Sequence, residues 1–311
     1  MTDISTWTVP AGAPPVRLDA FVRRTLPHLS AREAEKAIGE GAFRINGRRG
    51  RKGDRLAGGD TLTFQGGGHW LAPAPLPRPD LAVPVRYEDE SILVLDKPAG
   101  MATHGFSGRE TASLANFIAA ARPELLSVGR SRWEPGLINR LDRGTSGLVL
   151  AAKDQAAFDD LRAQSITKKY WALVWGESGA EGTIDLPLVH DSGDRKKMTP
   201  APTGKKRPPR SWSALTRFRR RGSAGGFSLL EVEIERGVTH QIRVHLQASG
   251  HPIAGDPLYG GGRADPFALG RQFLHACYLG FRHPKEGRDV VVESPLPEEL
   301  EQVIEKIGLR I

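Results

Sequence analysis

The sequence predicts an α+β protein in which a small helix-rich domain precedes a larger, strand-rich domain built on a mixed sheet. Residues 66–82 are rich in glycine and proline, a composition typical of a linker that is flexible in one part and extended in another. Beyond it, short apolar runs and helical stretches follow one another without the regular strand–helix alternation of a doubly wound fold. We therefore expect a first domain at residues 1–65 and a second at residues 83–311.

The segment before the linker carries signals for two short helices and a hairpin. Residues 18–26 have the apolar pattern of one helix, and a second is expected to begin at Ser30, which forms a capping-box pattern with Glu33. Gly41 follows at the position where a glycine commonly ends a helix. Asn46-Gly47 comes directly after an alternating apolar run, which predicts a tight hairpin turn.

The segment after the linker has the pattern of a sheet covered by a few helices. Apolar runs of four to six residues indicate strands, and longer stretches with a 3.6-residue period indicate helices. We expect the strands at residues 92–95, 147–152, 170–175 and 229–234, and the helices at residues 111–121, 155–164 and 296–307.

A strongly basic segment interrupts this second domain. Residues 195–221 contain eleven lysines and arginines and no acidic residue, and such blocks of like charge are usually solvated. Prolines and glycines interrupt its first half. We expect a basic loop that continues into a strand at residues 211–219, and its role stays open.

The overall composition favours an anionic partner. The chain has a formal charge of +8 and a pI near 9.8, which fits an RNA-binding protein, although many basic proteins bind no nucleic acid. Its single cysteine, Cys277, excludes an internal disulfide and a zinc site built on cysteines. The sequence shows no secretory signal and no apolar run of about 18 residues. We therefore expect a cytoplasmic protein without a membrane or metal partner, and we assume a monomer.

The densest signal for chemistry surrounds Asp142. This carboxylate lies between Arg140 and Arg143, directly before a Gly-Thr-Ser-Gly turn that leads into an apolar strand. Flanking cations favour the ionised form of a carboxyl group, and the strand would give it a rigid base. The fragment by itself equally fits an aspartate that is salt-bridged within a turn, so its interpretation depends on what accompanies it along the chain.

Five other segments accompany it in order. Together with the Asp142 segment they resemble the RluA-type pseudouridine synthases over about residues 83–295, and the resemblance implies the fold and the activity of that family. The family usually has histidine where this chain has Asn139, and arginine where it has Val238. The accompanying segments are residues 96–104, 168–176, 239–246, 255–260 and 274–276.

The resemblance implies that Asp142, Tyr170 and Arg243 are catalytic. Pseudouridine formation breaks the nitrogen–carbon glycosidic bond of uridine and rejoins uracil through its carbon 5. Asp142 could attack as a nucleophile or remove a ribose proton, and both uses stay open. Arg243 would offer that carboxylate a fixed charge with forked donors, and Tyr170 could stack on the freed uracil while its hydroxyl assists the carbon 5 proton. The reaction needs neither redox chemistry nor a group donor, so no cofactor is expected.

Other polar residues in these segments are candidates for holding RNA near the pocket. Contacts to phosphate or ribose would position the RNA without reading its sequence. Each of these residues could equally well form an ion pair or another contact within the protein instead. They are Lys97, His104, Arg140, Arg143, His240 and Gln241.

The first domain resembles a small RNA-binding domain first seen in a ribosomal small-subunit protein, the S-four type, over residues 16–65. The residues that carry this resemblance include Arg17-Leu18-Asp19, Gly41, Asn46-Gly47 and Gly59-Asp60. In that family two helices present basic residues to structured RNA, which implies backbone contacts here; a solvated face is the alternative. The candidates are Arg23, Arg24, Arg32, Lys36, Arg48, Arg49, Arg51 and Lys52.

The sequence therefore predicts an enzyme that isomerises specific uridines to pseudouridine in structured RNA, with ribosomal RNA favoured over transfer RNA by the additional RNA-binding domain. A non-catalytic RNA-binding or assembly factor is one alternative, but it would not need the three catalytic residues together. A base-releasing nucleosidase is another, and it would liberate free uracil. His240 and His245 are five residues apart, not the four of a helical zinc motif, and no phosphate-binding glycine loop or serine-hydrolase elbow is present.

Overall fold

The computed structural model describes residues 5–27, 29, 31–66, 70, 75–105, 111–131, 133–194, 196–202 and 210–309. The helices within these ranges are α1 (Leu18–Thr25), α2 (Ala31–Gly39), α3 (Leu114–Ala121), α4 (Gln155–Ala163), α5 (Gln241–Ala248) and α6 (Glu298–Lys306). The strands before the linker are β1 (Thr6–Thr8), β2 (Val16–Arg17), β3 (Phe43–Ile45), β4 (Arg48–Arg49), β5 (Arg55–Leu56) and β6 (Thr61–Phe64). Those after it are β7 (Val85–Glu88), β8 (Ile92–Lys97), β9 (Ser146–Ala152), β10 (Thr167–Trp175), β11 (Glu181–Asp185), β12 (Leu188–His190), β13 (Met198–Pro200), β14 (Leu215–Ala224), β15 (Phe227–Ile234), β16 (Leu274–Arg282) and β17 (Asp289–Glu293). The expected α+β class is confirmed, and Ser30, the predicted first cap of α2, lies outside the described residues.

The N-terminal part is built on a four-stranded antiparallel sheet in the order β1–β6–β3–β4, and β2 pairs with β5 beside it. Its core takes apolar side chains from the sheet and from both helices, and the rings of Phe43 and Phe64 lie 5.5 Å apart in it. β1 was not expected, because three residues are too few for a strand period to be recognised. It becomes a strand only by pairing with β6, where Trp7 lies opposite Leu62.

Both turns that the sequence predicted in this part have the backbone they require. Gly41 follows α2 with a φ of +81°, the left-handed conformation that glycine adopts without a side-chain penalty. Asn46 and Gly47 have φ angles of 47° and 83°. Two successive positive φ angles make the two-residue turn that matches the twist of antiparallel strands, and this turn joins β3 to β4.

The described residues of the linker are packed at both ends. Trp70 is buried in the N-terminal core. Further along, the carbonyl of Leu76 accepts a hydrogen bond of 2.8 Å from the side chain of Asn116, and the amide of Arg78 donates to the Asn116 carbonyl at 3.1 Å. The linker is thus attached to α3 as well as to the first core, while the domain limits that the composition suggested stay a prediction.

The larger part is built on a nine-stranded mixed sheet in the order β11–β14–β15–β10–β16–β9–β8–β7, with β17 also pairing with β16. Neighbouring strands are antiparallel except β9 and β16, which run parallel. Both β9, which follows the turn after Asp142, and β10, which carries Tyr170, pair with β16. The sheet therefore brings these two predicted catalytic residues to either side of one strand.

Gly147 allows the parallel contact between β9 and β16. Its φ is +113°, and a β-carbon at this position would lie 2.2 Å from the carbonyl oxygen of Ala276. Any side chain would force the two strands apart. The pairing of β9 with β16 therefore requires the last glycine of the Gly-Thr-Ser-Gly turn, independently of catalysis.

The helices cover the two faces of this sheet unequally. One face packs against α3, α5 and α6, and Tyr170 belongs to the core between them. The other face packs against α4 through Phe158 and Leu161. Among the described residues, none of the helices combines the length and the apolar character needed to cross a membrane.

The basic segment differs from its prediction. The strand expected at residues 211–219 begins later, at Leu215, and continues to Ala224. Residues 198–200, expected in a loop, form β13 and pair with β12. Arg221 of β14 lies 2.6 Å from Glu231 on the next strand, so cross-strand pairing compensates a charge that had indicated a solvated loop. Residues 195 and 203–209 of the segment lie outside the described residues.

Candidate active site

Asp142 lies in a short loop that is fixed on both sides by polar side chains. Oδ1 of Asn139 accepts a hydrogen bond of 2.8 Å from the amide of Leu150 on β9. The hydroxyl of Thr103 donates to the carbonyl of Leu141 at 2.7 Å and accepts from its amide at 3.0 Å. The backbone directly before Asp142 is therefore held to the sheet and to the loop that follows β8.

Arg243, on α5, is the direct partner of Asp142, although 101 residues separate the two in the sequence. Its Nη1 donates to Oδ2 of Asp142 at 2.8 Å. The side chain of Arg243 is 6% exposed and that of Asp142 is 24% exposed, so a buried cation holds a carboxylate that reaches solvent. Burial alone would lower the pKa of Arg243, but hydrogen bonding to Asp256 and the charge on Asp142 raise it above its usual value.

Asp256 holds the other side of the Arg243 guanidinium. Nε and Nη2 of Arg243 donate to its two oxygens at 2.7 and 2.8 Å, a forked pair. Its fully buried carboxylate also accepts the amides of Leu258 and Tyr259 at 2.9 Å each. Burial by itself would raise the pKa of Asp256, but Arg243 and these amides outweigh it and hold the pKa below its usual value.

Tyr259 and His240 complete the surroundings of Arg243. The guanidinium lies 5.0 Å from the centre of the Tyr259 ring. The Tyr259 hydroxyl accepts the amide of Met198 at 2.8 Å and lies 2.8 Å from Nδ1 of His240. Nε2 of His240 is 3.9 Å from Oδ1 of Asp142. Burial lowers the pKa of His240 despite the nearby Asp142 charge, which by itself would raise it.

Tyr170 faces the core beside Asp142 and is almost fully buried. The pairing of β10 with β16 shifts register between Lys169 and Tyr170, and such bulges re-aim a side chain next to an active site. Burial raises the pKa of Tyr170, and the charge on Asp142 raises it further, so the phenol stays protonated at neutral pH. The structure therefore places all three predicted catalytic residues in one neighbourhood.

The arrangement gives the two oxygens of Asp142 different surroundings. Oδ2 is held by Arg243, whereas Oδ1 faces His240 at 3.9 Å. A carboxylate with one oxygen that the arginine does not occupy can add to a carbon centre or accept a proton. Elsewhere in the described part of the chain, no group of three or more histidine, cysteine, aspartate or glutamate side chains could hold a metal ion.

Lys97 and Gln241 were expected to contact RNA, but both are buried and bonded to the backbone. The ammonium of Lys97 donates to the carbonyl of Met101 at 2.8 Å, and burial lowers the pKa of Lys97 to about 7. The Gln241 side chain accepts from the amide of Val238 at 3.0 Å and donates to the carbonyl of Leu215 at 2.9 Å. Side chains with these partners are not presented to a phosphate, so we infer that both support the loops around the site.

His104 and Arg140 meet at Glu134. Nε2 of His104 and Nη1 of Arg140 lie 3.0 and 3.4 Å from the same oxygen of Glu134. His104 is largely buried in this cluster, which fits the structural alternative, whereas more than half of the Arg140 side chain is exposed. Arg143 is also exposed, so the two arginines that flank Asp142 in the sequence remain accessible to RNA.

Six of the eight candidate basic residues of the N-terminal part fall into two groups; of the other two, Arg49 donates to the carbonyl of Gly39 at 2.6 Å, and Arg51 is exposed between β4 and β5. Arg48 pairs with Asp54 at 2.8 Å, and Lys52 pairs with Glu35 at 2.9 Å. The second group is exposed on α1 and α2 and forms no ion pair with the residues that the structure describes; it consists of Arg23, Arg24, Arg32 and Lys36. The helices thus present the cations that are free to meet a phosphate backbone.

Asp256 and Tyr259 had no assigned role in the sequence, although both belong to one of its recognised segments, residues 255–260. The sequence did contain one indication of these roles. A buried guanidinium needs an acceptor on each side of its forked donors, and Asp142 alone does not supply them. Spacing within a turn does not tell which of its side chains faces α5, so only the folded chain could assign them.

Two family profiles match this chain. The profile described as RNA pseudouridylate synthase matches residues 91–248, about half of the chain, and it includes the predicted catalytic residues Asp142, Tyr170 and Arg243. The profile described as S4 domain matches residues 16–62, which include α1 and α2. The second match agrees with the S-four resemblance of the N-terminal part.

Similar proteins align over nearly the whole chain. An RNA pseudouridine synthase of Chloroflexus aurantiacus is 39% identical over 94% of this chain and 90% of its own length. One of Bacillus subtilis is 35% identical over 94% of each chain. Ribosomal large subunit pseudouridine synthase D of Xanthomonas campestris is 33% identical over 95% of this chain and 90% of its own. The solved structure of human RNA pseudouridylate synthase domain containing 4 shares the fold, with a TM-score of 0.57 and 23% identity over 73% of this chain and 94% of its own.

Proposed function

This chain belongs to the RNA pseudouridine synthase family, and we propose that it isomerises specific uridines of ribosomal RNA with Asp142 as the catalytic carboxylate and without a cofactor. One observation carries the assignment of Asp142. It is a partly exposed carboxylate whose Oδ2 is held by the buried Arg243 at 2.8 Å, while Oδ1 lies 3.9 Å from Nε2 of His240. Such fixed orientation is what a nucleophile or base needs at the moment of reaction.

The proposed reaction conserves every atom of the uridine. The bond between the ribose carbon 1′ and nitrogen 1 of uracil breaks, the freed uracil turns, and carbon 1′ joins carbon 5. The proton that leaves carbon 5 is balanced by one taken up at nitrogen 1, so no oxidant, reductant or group donor enters. Asp142 begins the sequence either by adding to carbon 1′ or by removing a ribose proton, while Arg243 holds its Oδ2.

Tyr170 is proposed to hold the uracil between bond cleavage and bond formation. A freed base that reached solvent would turn the isomerase into a nucleosidase, so the pocket needs a wall on which the ring can stack. Tyr170 is buried next to Asp142 and remains protonated. It can therefore supply an aromatic face and a hydrogen-bond donor, but not a phenolate base at neutral pH.

RNA contacts are proposed at two places. A uridine in folded RNA is stacked, so it must be extruded to reach Asp142, and the exposed Arg140 and Arg143 beside it are candidates for holding the neighbouring phosphates. The unpaired basic residues of α1 and α2 are candidates for attaching the RNA at a second place. Ribosomal RNA is favoured because a relative named ribosomal large subunit pseudouridine synthase D aligns over nearly its full length, including the N-terminal part.

The domain limits, the cytoplasmic location, the monomeric state and the independence from a cofactor stay predictions. The last two are open to direct measurement on purified protein. Light scattering after size-exclusion chromatography should give the mass of a single chain. Exhaustive dialysis against a chelator should leave pseudouridine formation unchanged, and a loss that added metal restores would contradict the absence of a cofactor.

The experiment that tests the proposal supplies purified protein with unmodified transcripts of large-subunit ribosomal RNA and of transfer RNAs, and maps pseudouridine in both. We expect conversion at a few uridines of the ribosomal transcript, and none with the Asp142→Asn variant. Mapping total RNA from cells with and without the gene then identifies the position. Conversion confined to transfer RNA would refute the ribosomal substrate but would not contradict the catalytic role of Asp142. Release of free uracil would refute the isomerisation.

A further inference from the structure

A hairpin and an exposed tryptophan lie beside the active site without a part in the chemistry described so far. The hairpin consists of β12 and β13, and Trp212 joins β12 through two backbone hydrogen bonds of 2.8 and 2.9 Å. Met198 of β13 donates to the Tyr259 hydroxyl, which contacts His240. A continuous chain of contacts therefore leads from Trp212 to His240, whose Nε2 is 3.9 Å from Asp142.

Trp212 is a large apolar side chain that the protein leaves in solvent. It is 40% exposed, and the other strongly exposed large hydrophobic residues among those described are aliphatic. His190 of β12 packs perpendicular to it, with ring centres 5.3 Å apart, so the orientation of the indole is fixed. A single exposed apolar residue needs no explanation by itself. An exposed indole that a chain of contacts connects to an RNA-modifying site is, however, a surface on which an unpaired base can stack.

The charges near Trp212 fit a nucleic acid strand. Arg210 precedes it by two residues, and Lys196 and Lys197 lie in the hairpin; none of the three forms an ion pair with the described residues. The hairpin turn also carries Asp191 and Asp194, whose Oδ1 atoms accept backbone amides at 2.8 to 3.0 Å. These amides and, to a smaller extent, the charge of Lys197 lower the pKa of Asp191. Arg210 and Lys196 are exposed, so they can contact phosphates, which attach RNA without reading its sequence.

We propose that Trp212, oriented by His190, stacks on an unpaired nucleobase next to the target uridine, while Arg210 and the hairpin lysines contact the adjoining phosphates. The inference rests on the proposed function, because it names a further part of the RNA that the same active site takes up. Extruding a uridine removes the stacking partner of its neighbours. An indole beside the pocket replaces part of that stacking and lowers the cost of extrusion.

The test uses the full chain with Asp142→Asn, so that no RNA is modified during the measurement. One probe is a fluorophore-labelled, single-stranded uridine decamer, whose binding does not depend on the identity of the natural target. The other is a fully paired RNA duplex of the same length, which offers no unpaired base. Trp212→Ala should weaken decamer binding about tenfold, Trp212→Phe much less, and duplex binding should not change. Val291→Ala, at a 56% exposed apolar residue on β17, is the matched control and should change neither affinity.

A second measurement follows the fluorescence of the indole itself. The difference in fluorescence between the parent protein and Trp212→Phe isolates the indole at position 212, and the decamer should quench it.

In the protein with an intact Asp142, Trp212→Ala should raise the RNA concentration at half-maximal rate about tenfold and leave the saturated rate within about twofold.

Unchanged decamer affinity in a folded Trp212→Ala variant, an equal loss for decamer and duplex, or no quenching at position 212 would each overturn the stacking assignment. Failure of the proposed function has a different outcome. Protein with an intact Asp142 would then form no pseudouridine in the ribosomal transcript, while the decamer comparison would still report on Trp212.

Discussion

Nη1 of Arg243 lies 2.8 Å from Oδ2 of Asp142, and this contact joins a buried cation to a carboxylate that is 24% exposed. Arg243 cannot swing towards the substrate, because Asp256 holds its other two donor nitrogens at 2.7 and 2.8 Å. The contact therefore fixes which oxygen of Asp142 is occupied and which is free. Preorganised charge of this kind costs no rearrangement when the reaction begins.

Asp142→Asn should abolish pseudouridine formation and leave the fold and the RNA affinity nearly unchanged. The amide keeps the shape of the carboxylate but removes the nucleophile or base, and the side chain is only partly buried. We expect the rate to fall by at least about a thousandfold. The measurement is release of tritium from RNA labelled at carbon 5 of uridine, with filter binding of the same RNA as the control. Activity within about tenfold of the unchanged protein would contradict the assignment.

Arg243→Gln should destabilise the protein as well as inactivate it. It leaves the fully buried carboxylate of Asp256 without its cation, and breaking a buried pair in this way costs roughly 3–5 kcal/mol of the free energy of unfolding at pH 7. Denaturant unfolding of both proteins gives the difference. The double variant Arg243→Gln/Asp256→Asn removes the buried charge and should regain part of the stability; equal stability of the single and double variants would contradict the explanation.

The cost of Arg243→Gln should also depend on pH, in a direction set by Asp256. The pKa of this carboxyl is lowered below its ordinary value of 3.8 in the folded protein. The stability that its ionised form contributes is therefore present above pH 3.8 and is lost as the pH falls through the lowered pKa. Unfolding measured between pH 7 and pH 3 should show the gap between the two proteins narrowing towards acid. A constant gap would mean that the lost stability does not come from the Asp256 charge.

Tyr170→Phe and Tyr170→Leu should separate stacking from proton transfer. The raised pKa keeps the phenol protonated, so we expect the ring to matter more than the hydroxyl. Phenylalanine should keep activity within about threefold, and leucine should lower it by roughly 10- to 100-fold. Single-turnover rates on ordinary RNA at saturating enzyme measure this.

RNA that carries 5-fluorouridine provides the control for this pair, because fluorine replaces the proton at carbon 5. A Phe variant that is inactive on ordinary RNA but still processes the fluorinated RNA would contradict a role of Tyr170 in stacking alone. It would indicate that the hydroxyl takes part in proton transfer. A Leu variant that turns over ordinary RNA like the unchanged protein would remove Tyr170 from the site. Thermal unfolding of both variants distinguishes these outcomes from loss of the fold.

Neutralising the unpaired cations of α1 and α2 should flatten the salt dependence of RNA binding. Each phosphate contact releases counterions, so the slope of log affinity against log salt should become shallower by up to about four when all four residues are replaced by glutamine. Catalysis at saturating RNA should persist, because the reacting groups lie elsewhere. The four residues are Arg23, Arg24, Arg32 and Lys36. An unchanged slope, or an equal change on replacing Lys285 and Arg288 of the catalytic part, would show that these helices do not meet the RNA.

Local patterns in the sequence were enough for much of the fold. Apolar periodicity identified α1, α4 and the central strands β8, β9, β10 and β15 to within a few residues, because these elements are long or strongly patterned. The residue types at Gly41 and Asn46-Gly47 predicted their turns correctly. The positive φ angles of such turns involve residues that are neighbours in the chain, so no distant partner is needed to predict them. The elements that were not predicted include α5 and β16 as well as the short strands β1 and β13. The two three-residue strands exist only through the partner that they pair with.

The sequence by itself determined which residue types are available for catalysis: Asp142, Tyr170 and Arg243, in family segments that stand in order. Only the tertiary structure decided how these residues are used. It turned Lys97 and Gln241 inward, and it enclosed Arg243 between Asp142 and Asp256. The physical reason is that a buried polar group takes whichever partner the packing of distant segments brings within about 3 Å. A motif states what each residue can do, whereas the fold decides which of its partners come within reach.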